Sequence, residues 1–127
     1  MTAARPGFHS VTPRLVVADA GGLVEFLRTV FGATGTVDAD RPAEMRIGDS
    51  LVMVTQAGTR EAFPGFLYVY VGDADENYQR AVAAGAVTLE PPLDTPYGDR
   101  RAMVRDPWGN VWQIAHVLGT GSPRRSS

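Results

Sequence analysis

"TPRLVVADAGGLVEFLRTVFGA" (residues 12–33) and "FLYVYVGDADENYQRAVAAGA" (residues 66–86) are two versions of one pattern, and that pattern decides the fold. Each begins with a strand-like run, continues through Asp-Ala into an amphipathic segment, and closes with Gly-Ala. Asp19 and Asp73 stand where a helix N-cap belongs. Gly32 and Gly85 stand where a glycine commonly ends a helix. The internal repeat therefore predicts two strand–helix units of similar construction.

Three short strand candidates follow each predicted helix. They span about 34–38, 43–47 and 50–55 in the first half, and about 87–90, 100–105 and 110–116 in the second. Each half is therefore a βαβββ module. A chain of 127 residues fits one domain. We place the modules at about residues 10–56 and 65–118, with a linker over 57–64 and a disordered tail over 119–127.

The composition excludes several classes of function. The formal charge is −2 and the positive residues are scattered, so nothing predicts a nucleic-acid partner. No apolar run is long enough to span a bilayer, and the N-terminus lacks the apolar core of a signal peptide. We therefore expect a cytoplasmic protein without a membrane partner. The chain contains neither Cys nor Lys, which excludes thiolate metal sites and Schiff-base lysines.

Strand alternation assigns the side chains of each predicted strand to two faces. One face is aliphatic or bulky and suits the side covered by the helices. The other face is mixed and is typical of the lining of a binding pocket. Its members are Thr12, Arg14, Val16, Glu44, Arg46, Met53, Phe66, Tyr68, Tyr70, Arg101, Met103, Arg105 and Gln113.

The segments that carry this pattern are "VTPRLVVADA", "FLRTVFGA", "RIGDSLVMV" and "YGDRRAMVRDPWGNVWQIA". Together they resemble the vicinal oxygen chelate superfamily, which includes glyoxalase I, extradiol dioxygenases, fosfomycin resistance enzymes and bleomycin resistance proteins. The similarity covers about residues 9–117 and is closest to the PhnB-like branch. The resemblance implies an α+β fold in which two βαβββ modules form a curved mixed sheet with the helices on its convex face. It also implies a homodimer.

Metal-using members of that superfamily ligate an ion through four positions of the concave face. Carried onto this chain by motif, these positions are Thr12, Met53, Phe66 and Gln113. Divalent ions of this kind want carboxylate or imidazole ligands, and none of the four residues supplies one. We therefore predict neither a metal site nor a cofactor. His9 and His116 are interpreted as surface or edge residues.

We predict that the mixed face binds a ligand through Arg14, Arg46, Met53, Phe66, Tyr68, Tyr70, Arg101, Met103, Trp108 and Gln113. The three aromatic residues of one strand offer a stacking surface, and Met suits adaptable apolar recognition. Two alternatives stay open. The aromatic residues bury one another at a subunit interface, and Trp108 packs on a neighbouring strand.

The loop "DTPYGDRR" (residues 94–101) contains a further set of reactive side chains. Tyr97 and Asp99 could act as an acid or a base, as could Glu44, and Arg100 and Arg101 could hold an anion. The simpler interpretation is that Asp99 pairs with an arginine and holds the loop.

The sequence favours a metal-free protein that binds and sequesters an aromatic or peptidic natural product, as in antibiotic resistance of the bleomycin type. The alternative is a lyase or isomerase of the same superfamily that is metal-free or has a relocated metal. Metal-dependent chemistry would need a Lewis acid, and metal-free chemistry would need a general acid and base.

Overall fold

The computed structural model describes residues 4–119. The chain divides into two compact units, Met1–Pro64 and Gly65–Ser127. The predicted disordered tail lies, apart from Gly119, outside the described residues.

The first unit is a four-stranded mixed sheet with one helix, and its strand order is β1-β4-β3-β2. β1 and β4 are parallel, whereas β4 with β3 and β3 with β2 are antiparallel. The elements are β1 (Arg14–Val17), α1 (Ala20–Phe31), β2 (Thr34–Asp38), β3 (Arg41–Ile47) and β4 (Ser50–Gln56).

The second unit repeats that topology with strand order β5-β8-β7-β6. β5 and β8 are parallel and the other two pairs are antiparallel. The elements are β5 (Phe66–Tyr70), α2 (Ala74–Ala83), β6 (Val87–Asp94), β7 (Asp99–Arg105) and β8 (Val111–Val117). The prediction of an α+β fold built from two βαβββ modules is confirmed.

The helix ends follow the predicted caps. The Asp19 side chain accepts a hydrogen bond from the backbone N–H of Gly22, and Asp73 accepts one from Glu76. Gly32 ends α1 with a φ of 66°, and Gly85 follows the end of α2 with a φ of 105°. Both glycines occupy a backbone region that strains residues with a Cβ, so these two positions set where the helices stop.

The core of each unit lies between its helix and one face of its sheet. In both units most of the aliphatic face predicted from alternation is buried, as the period-2 geometry of a strand requires, whereas Leu67 and Val69 of β5 are only half-buried. Among the most buried side chains are Leu15, Val17, Leu23, Leu27, Val30, Met45 and Val54 in the first unit, and Ala102, Val104, Trp112 and Ile114 in the second.

Val16, which was assigned to the mixed face, and Ala115, which alternation along β8 places on the same face as Gln113, are nevertheless buried. Val16 is covered because the chain returns after β4, and the N–H of Phe63 donates a 2.9 Å hydrogen bond to the carbonyl of Val16. Ala115, on β8, is completely buried. Within the described residues, no helix is long and apolar enough to cross a bilayer.

Candidate functional site

The three aromatic residues of β5, Phe66, Tyr68 and Tyr70, form the aromatic shelf of the second unit. Alternation along the strand puts all three on one face. They stay exposed by 70%, 37% and 61% of their surface, respectively. The rings of Tyr68 and Tyr70 are 5.3 Å apart between centroids and are tilted by 56°. That geometry is within the range of favourable aromatic pairs. The shelf is therefore a stacking surface in which Tyr68 and Tyr70 hold each other in place.

Strand register places further predicted residues beside the shelf. Tyr68 lies opposite Gln113 of β8, Gln113 lies opposite Met103 of β7, and Met103 lies opposite Glu90 of β6. In the same way, Ala115 stands between Tyr70 and Arg101. Directly opposed residues point to the same face of a sheet. The structure therefore brings together six of the ten predicted ligand-binding residues: Phe66, Tyr68, Tyr70, Arg101, Met103 and Gln113.

A buried carboxylate anchors the shelf. Oδ2 of Asp99 accepts hydrogen bonds from the hydroxyls of Tyr68 (2.6 Å) and Tyr70 (2.8 Å). The backbone of Asp99 is held in turn by Thr95, whose Oγ1 accepts from the Asp99 N–H at 2.9 Å. Within residues 4–119, Asp99 is paired with these tyrosines and not with an arginine, contrary to the expected pairing. Asp99 does hold its loop, but through Thr95, and its side chain fixes the two tyrosines.

The two arginines after Asp99 are engaged with other acidic groups. Arg100 forms ion pairs with Asp75 and Asp94, each at 3.2 Å. Arg101 forms a 2.6 Å ion pair with Glu90 and donates a 2.8 Å hydrogen bond to the hydroxyl of Tyr97. The hydrogen bond to Glu90 is the main cause that raises the pKa of Arg101. Both guanidinium groups are thus already paired within the second unit.

The first unit carries a second, more polar row on its own sheet. Arg14 lies opposite Met53, and Met53 lies opposite Glu44. A guanidinium nitrogen of Arg14 is 3.4 Å from the Met53 sulfur. Glu44 is paired with Arg5 and with Arg41, and these hydrogen bonds lower the pKa of its carboxyl. The predicted residue Arg46 is exposed on the same strand as Glu44.

The residues at the metal-ligand positions do not fit a divalent ion. A thioether, an amide and an aromatic ring stand at Met53, Gln113 and Phe66, and Thr12 precedes the first residue of β1. No group of three or more His, Asp or Glu side chains with the geometry of a metal site occurs in the described part of the chain. His116 has a structural contact, since its Nδ1 accepts a 2.8 Å hydrogen bond from the N–H of Ala74 at the start of α2.

The turn "DPWGN" is held by a network that the sequence did not indicate. Oδ1 of Asp106 accepts from the backbone N–H groups of Trp108 and Asn110, and Oδ2 accepts from Asn110 Nδ2 and Trp112 Nε1, all at 2.9 Å. Trp108 is half-buried in this turn. It lies at the Phe66 end of the sheet, because Val111 after the turn is opposite Phe66. Asp99 and Tyr70 lie at the other end.

A cavity of about 640 Å³ lies in the first unit between α1 and the β2–β3 hairpin. Its floor includes Val24, Ala43 and Val54, and charged residues such as Glu25 and Arg41 stand around it. None of the ten predicted ligand-binding residues lines it. Strand alternation could not predict this cavity, because it assigns the helix side of the sheet to the core.

These structural features agree with the family match. The chain belongs to the glyoxalase/bleomycin resistance protein/dioxygenase superfamily, whose family model matches residues 7–114. The matches do not distinguish a branch of this superfamily, so the PhnB-like assignment stays a prediction.

Individual relatives extend the similarity over most of the chain. An uncharacterised protein of Mycobacterium bovis is 29% identical, covering 86% of this chain and 84% of that protein. TioX from a Micromonospora species is 28% identical, with a TM-score of 0.72 over 87% of this chain and 99% of that one. A member of the same superfamily from Burkholderia phytofirmans shares the fold, with 23% identity and a TM-score of 0.71 over 83% of this chain and 95% of that one.

Proposed function

We propose that this protein binds a planar aromatic small molecule on the aromatic shelf of its second unit, without a metal ion, and acts by sequestering that molecule. A natural product with an aromatic or peptidic scaffold is the ligand class that we propose. The observation that carries the proposal is the exposure of three adjacent aromatic side chains on one ordered sheet face, with Phe66 exposed by 70%. Exposed apolar groups gathered in one place commonly mark a binding site.

The composition of the face supports binding of an aromatic ligand. Gln113 and Met103 continue the row that starts at Tyr68, and they offer an amide for hydrogen bonding and an adaptable apolar side chain. A stacking surface with a few placed polar groups is the usual composition of a small-molecule site.

The chemistry of the family's ligand positions supports binding without a metal. The thioether of Met53 and the amide of Gln113 cannot balance the charge of a dication as a carboxylate does. The phenyl ring of Phe66 has no donor atom. The aromatic and amide groups at these positions can instead contact an organic ligand directly.

Glu44, one of the residues proposed for general acid–base work, and Tyr68, the exposed-face phenol that contacts Asp99 and Tyr97, are poorly suited to it. The carboxyl of Glu44 is held in its ionised form by two arginines, which lower its pKa. The pKa of Tyr68 is raised by burial and by hydrogen bonds to Asp99 and Tyr97, so this phenol does not give up its proton readily. An efficient acid or base has a pKa near the working pH. These shifts favour sequestration over a lyase or isomerase reaction.

Quinoline is a suitable neutral probe, and its binding can be measured by saturation-transfer NMR and calorimetry. We expect saturable binding that weakens about fivefold in Phe66→Ala, since stacking on one ring contributes about 1 kcal/mol. Phe63→Ala is the matched control, because Phe63 is equally exposed at 72% but lies in the first unit. The bound compound should be recovered chemically unchanged. Equal loss of binding in both variants, or conversion of the probe, would show the proposal to be wrong.

A second copy of the chain is the other possible occupant of the shelf. The predicted homodimer is compatible with the proposal only if the shelf stays open in it. Sedimentation velocity of the wild type and of Phe66→Ala separates the two cases. A mass that halves in Phe66→Ala, together with no binding of quinoline to the wild type, would assign the shelf to a subunit interface.

A further inference from the structure

The hydrogen bonds around the aromatic shelf form a chain of donors that ends at Asp99. The guanidinium of Arg101 can only donate, so the hydroxyl of Tyr97 accepts from it at 2.8 Å. Tyr68 and Tyr70 both direct their protons to Asp99. The hydroxyls of Tyr97 and Tyr68 are 3.4 Å apart, and Tyr97 is the donor, since the proton of Tyr68 is already used. The phenols of the shelf therefore present oxygen lone pairs and ring faces to a ligand, and no hydroxyl proton.

The charge of this cluster is not balanced. Asp99 is only 4% exposed. In the described residues its carboxylate has no arginine or histidine within ion-pair distance, because Arg100 and Arg101 pair with other carboxylates. Glu90 and Arg101 cancel each other, so the cluster of Asp99, Glu90 and Arg101 carries one net negative charge. The hydroxyls of Tyr68 and Tyr70 both contact that carboxylate, and Tyr70 is exposed by 61%.

The hydrogen bonds to Asp99 also make the two rings electron-rich. A phenol that donates to a carboxylate shares part of the anion's charge, which strengthens the negative potential above the ring. Cations are attracted to that potential, and more strongly when partly desolvated. The pKa of Tyr70 is raised, mainly by its hydrogen bond to Asp99. Tyr70 therefore remains a neutral donor at physiological pH, and the arrangement persists there.

We infer that the aromatic shelf selects planar aromatic cations over neutral and anionic molecules of the same size, with Asp99 as a positioning residue that acts through Tyr68 and Tyr70. An aromatic cation that stacks on these rings meets the uncompensated negative charge at their hydroxyl ends. An aromatic anion stacks equally well but is repelled by the same charge. The inference rests on the proposed function, because it assigns the charge of the ligand at that site.

Three probes of one shape test the inference: 1-methylquinolinium, quinoline at a pH where it is neutral, and 2-naphthoate. Calorimetry on the full chain gives the three dissociation constants. We expect the cation to bind about tenfold more tightly than quinoline, as a cation–π contact of ordinary strength predicts, and the anion to bind more weakly than quinoline. In Asp99→Asn the ratio of cation to neutral affinity should fall at least about threefold.

Two controls separate the field of Asp99 from other effects. Asp49→Asn removes the same charge from an exposed position at the β3–β4 turn and should leave the affinity ratio unchanged. Tyr70→Phe keeps the ring but removes its hydrogen bond to Asp99, so it should lower the ratio even if Asp99→Asn does not fold. Tyr78→Phe, which removes a hydroxyl that contacts Thr88 instead, should not.

The outcomes distinguish the inference from the proposed function. Equal affinity for quinoline and 1-methylquinolinium overturns the charge selection and leaves aromatic binding intact. A tenfold preference for the cation that survives both Asp99→Asn and Tyr70→Phe overturns the role assigned to Asp99, since the preference would then arise elsewhere. Failure of all three probes to bind the wild type refutes the proposed function and the inference together.

Discussion

Replacing Asp106 with alanine should destabilise the second unit more than any surface substitution of the same kind. Asp106 is 3% exposed and accepts four hydrogen bonds, two of them from the fully buried side chains of Asn110 and Trp112. A buried donor left without a partner costs about 1–3 kcal/mol. Two such donors give about 4 kcal/mol, which is a large share of the roughly 5–15 kcal/mol that stabilises a typical domain.

Urea denaturation measures this loss with two independent signals. Both tryptophans of the chain, Trp108 and Trp112, lie in or beside the affected turn, so fluorescence reports the β7–β8 hairpin and far-ultraviolet circular dichroism reports the whole chain. With a usual dependence on urea, a loss of about 4 kcal/mol lowers the midpoint by about 2 M. Asp94→Ala is the control, because its carboxylate forms an exposed ion pair with Arg100 that contributes at most about 1 kcal/mol.

A midpoint shift in Asp106→Ala no larger than that in Asp94→Ala would contradict the predicted loss of stability. Water would then satisfy the donors of Asn110 and Trp112, and the turn would not depend on the carboxylate. If Asp106→Ala does not fold at all, Asp106→Asn keeps one acceptor oxygen and should show an intermediate loss. An unchanged midpoint in that variant would also contradict the argument.

Three further predictions concern acid stability, helix capping and metals. The pKa of Glu44 is lowered in the folded state by its two arginine partners, so its contribution is present at neutral pH and is lost as the pH falls through that lowered pKa. Stability curves of the wild type and Glu44→Gln should therefore differ at neutral pH and converge in acid, and parallel curves would exclude this linkage. His116→Phe removes the acceptor for the N–H of Ala74 and should lower the free energy of unfolding by about 1 kcal/mol. The exposed His9 should tolerate the same change. An equal effect at both positions would contradict a capping role for His116. Added Zn²⁺, Ni²⁺, Mn²⁺ or Fe²⁺ should leave the Tm unchanged. A metal site filled at one hundred times its Kd would instead stabilise the fold by about 2.7 kcal/mol. A saturable rise in Tm that is lost in Gln113→Ala would show that these residues do hold a metal.

Local signals in the sequence were sufficient to predict the helices and strands. The N-caps at Asp19 and Asp73 and the positive-φ glycines at positions 32 and 85 were confirmed because a cap depends only on residues within one helical turn. Strand alternation likewise accounts for the burial of Trp112, since it neighbours Gln113 of the mixed face and neighbouring side chains along a strand point to opposite faces.

The same patterns could not predict how the site residues pair. Asp99 lies 31 residues from Tyr68 and 29 from Tyr70, and β8 stands between their strands. In the register, the residue between Tyr70 and Arg101 is Ala115, whose small side chain leaves room for a contact between side chains of the two flanking strands. Charge alone suggests instead that Asp99 pairs with an arginine.

The sequence by itself determined the two βαβββ modules, the core face of each sheet and the absence of suitable metal-ligating residues at the family's positions, because these depend on residue type and on spacing along the chain. Only the tertiary structure decided which acidic group each arginine and tyrosine binds, because strand order and register bring together residues that are far apart in sequence. The uncompensated charge of Asp99 at the hydroxyl ends of two exposed tyrosines follows from those pairings.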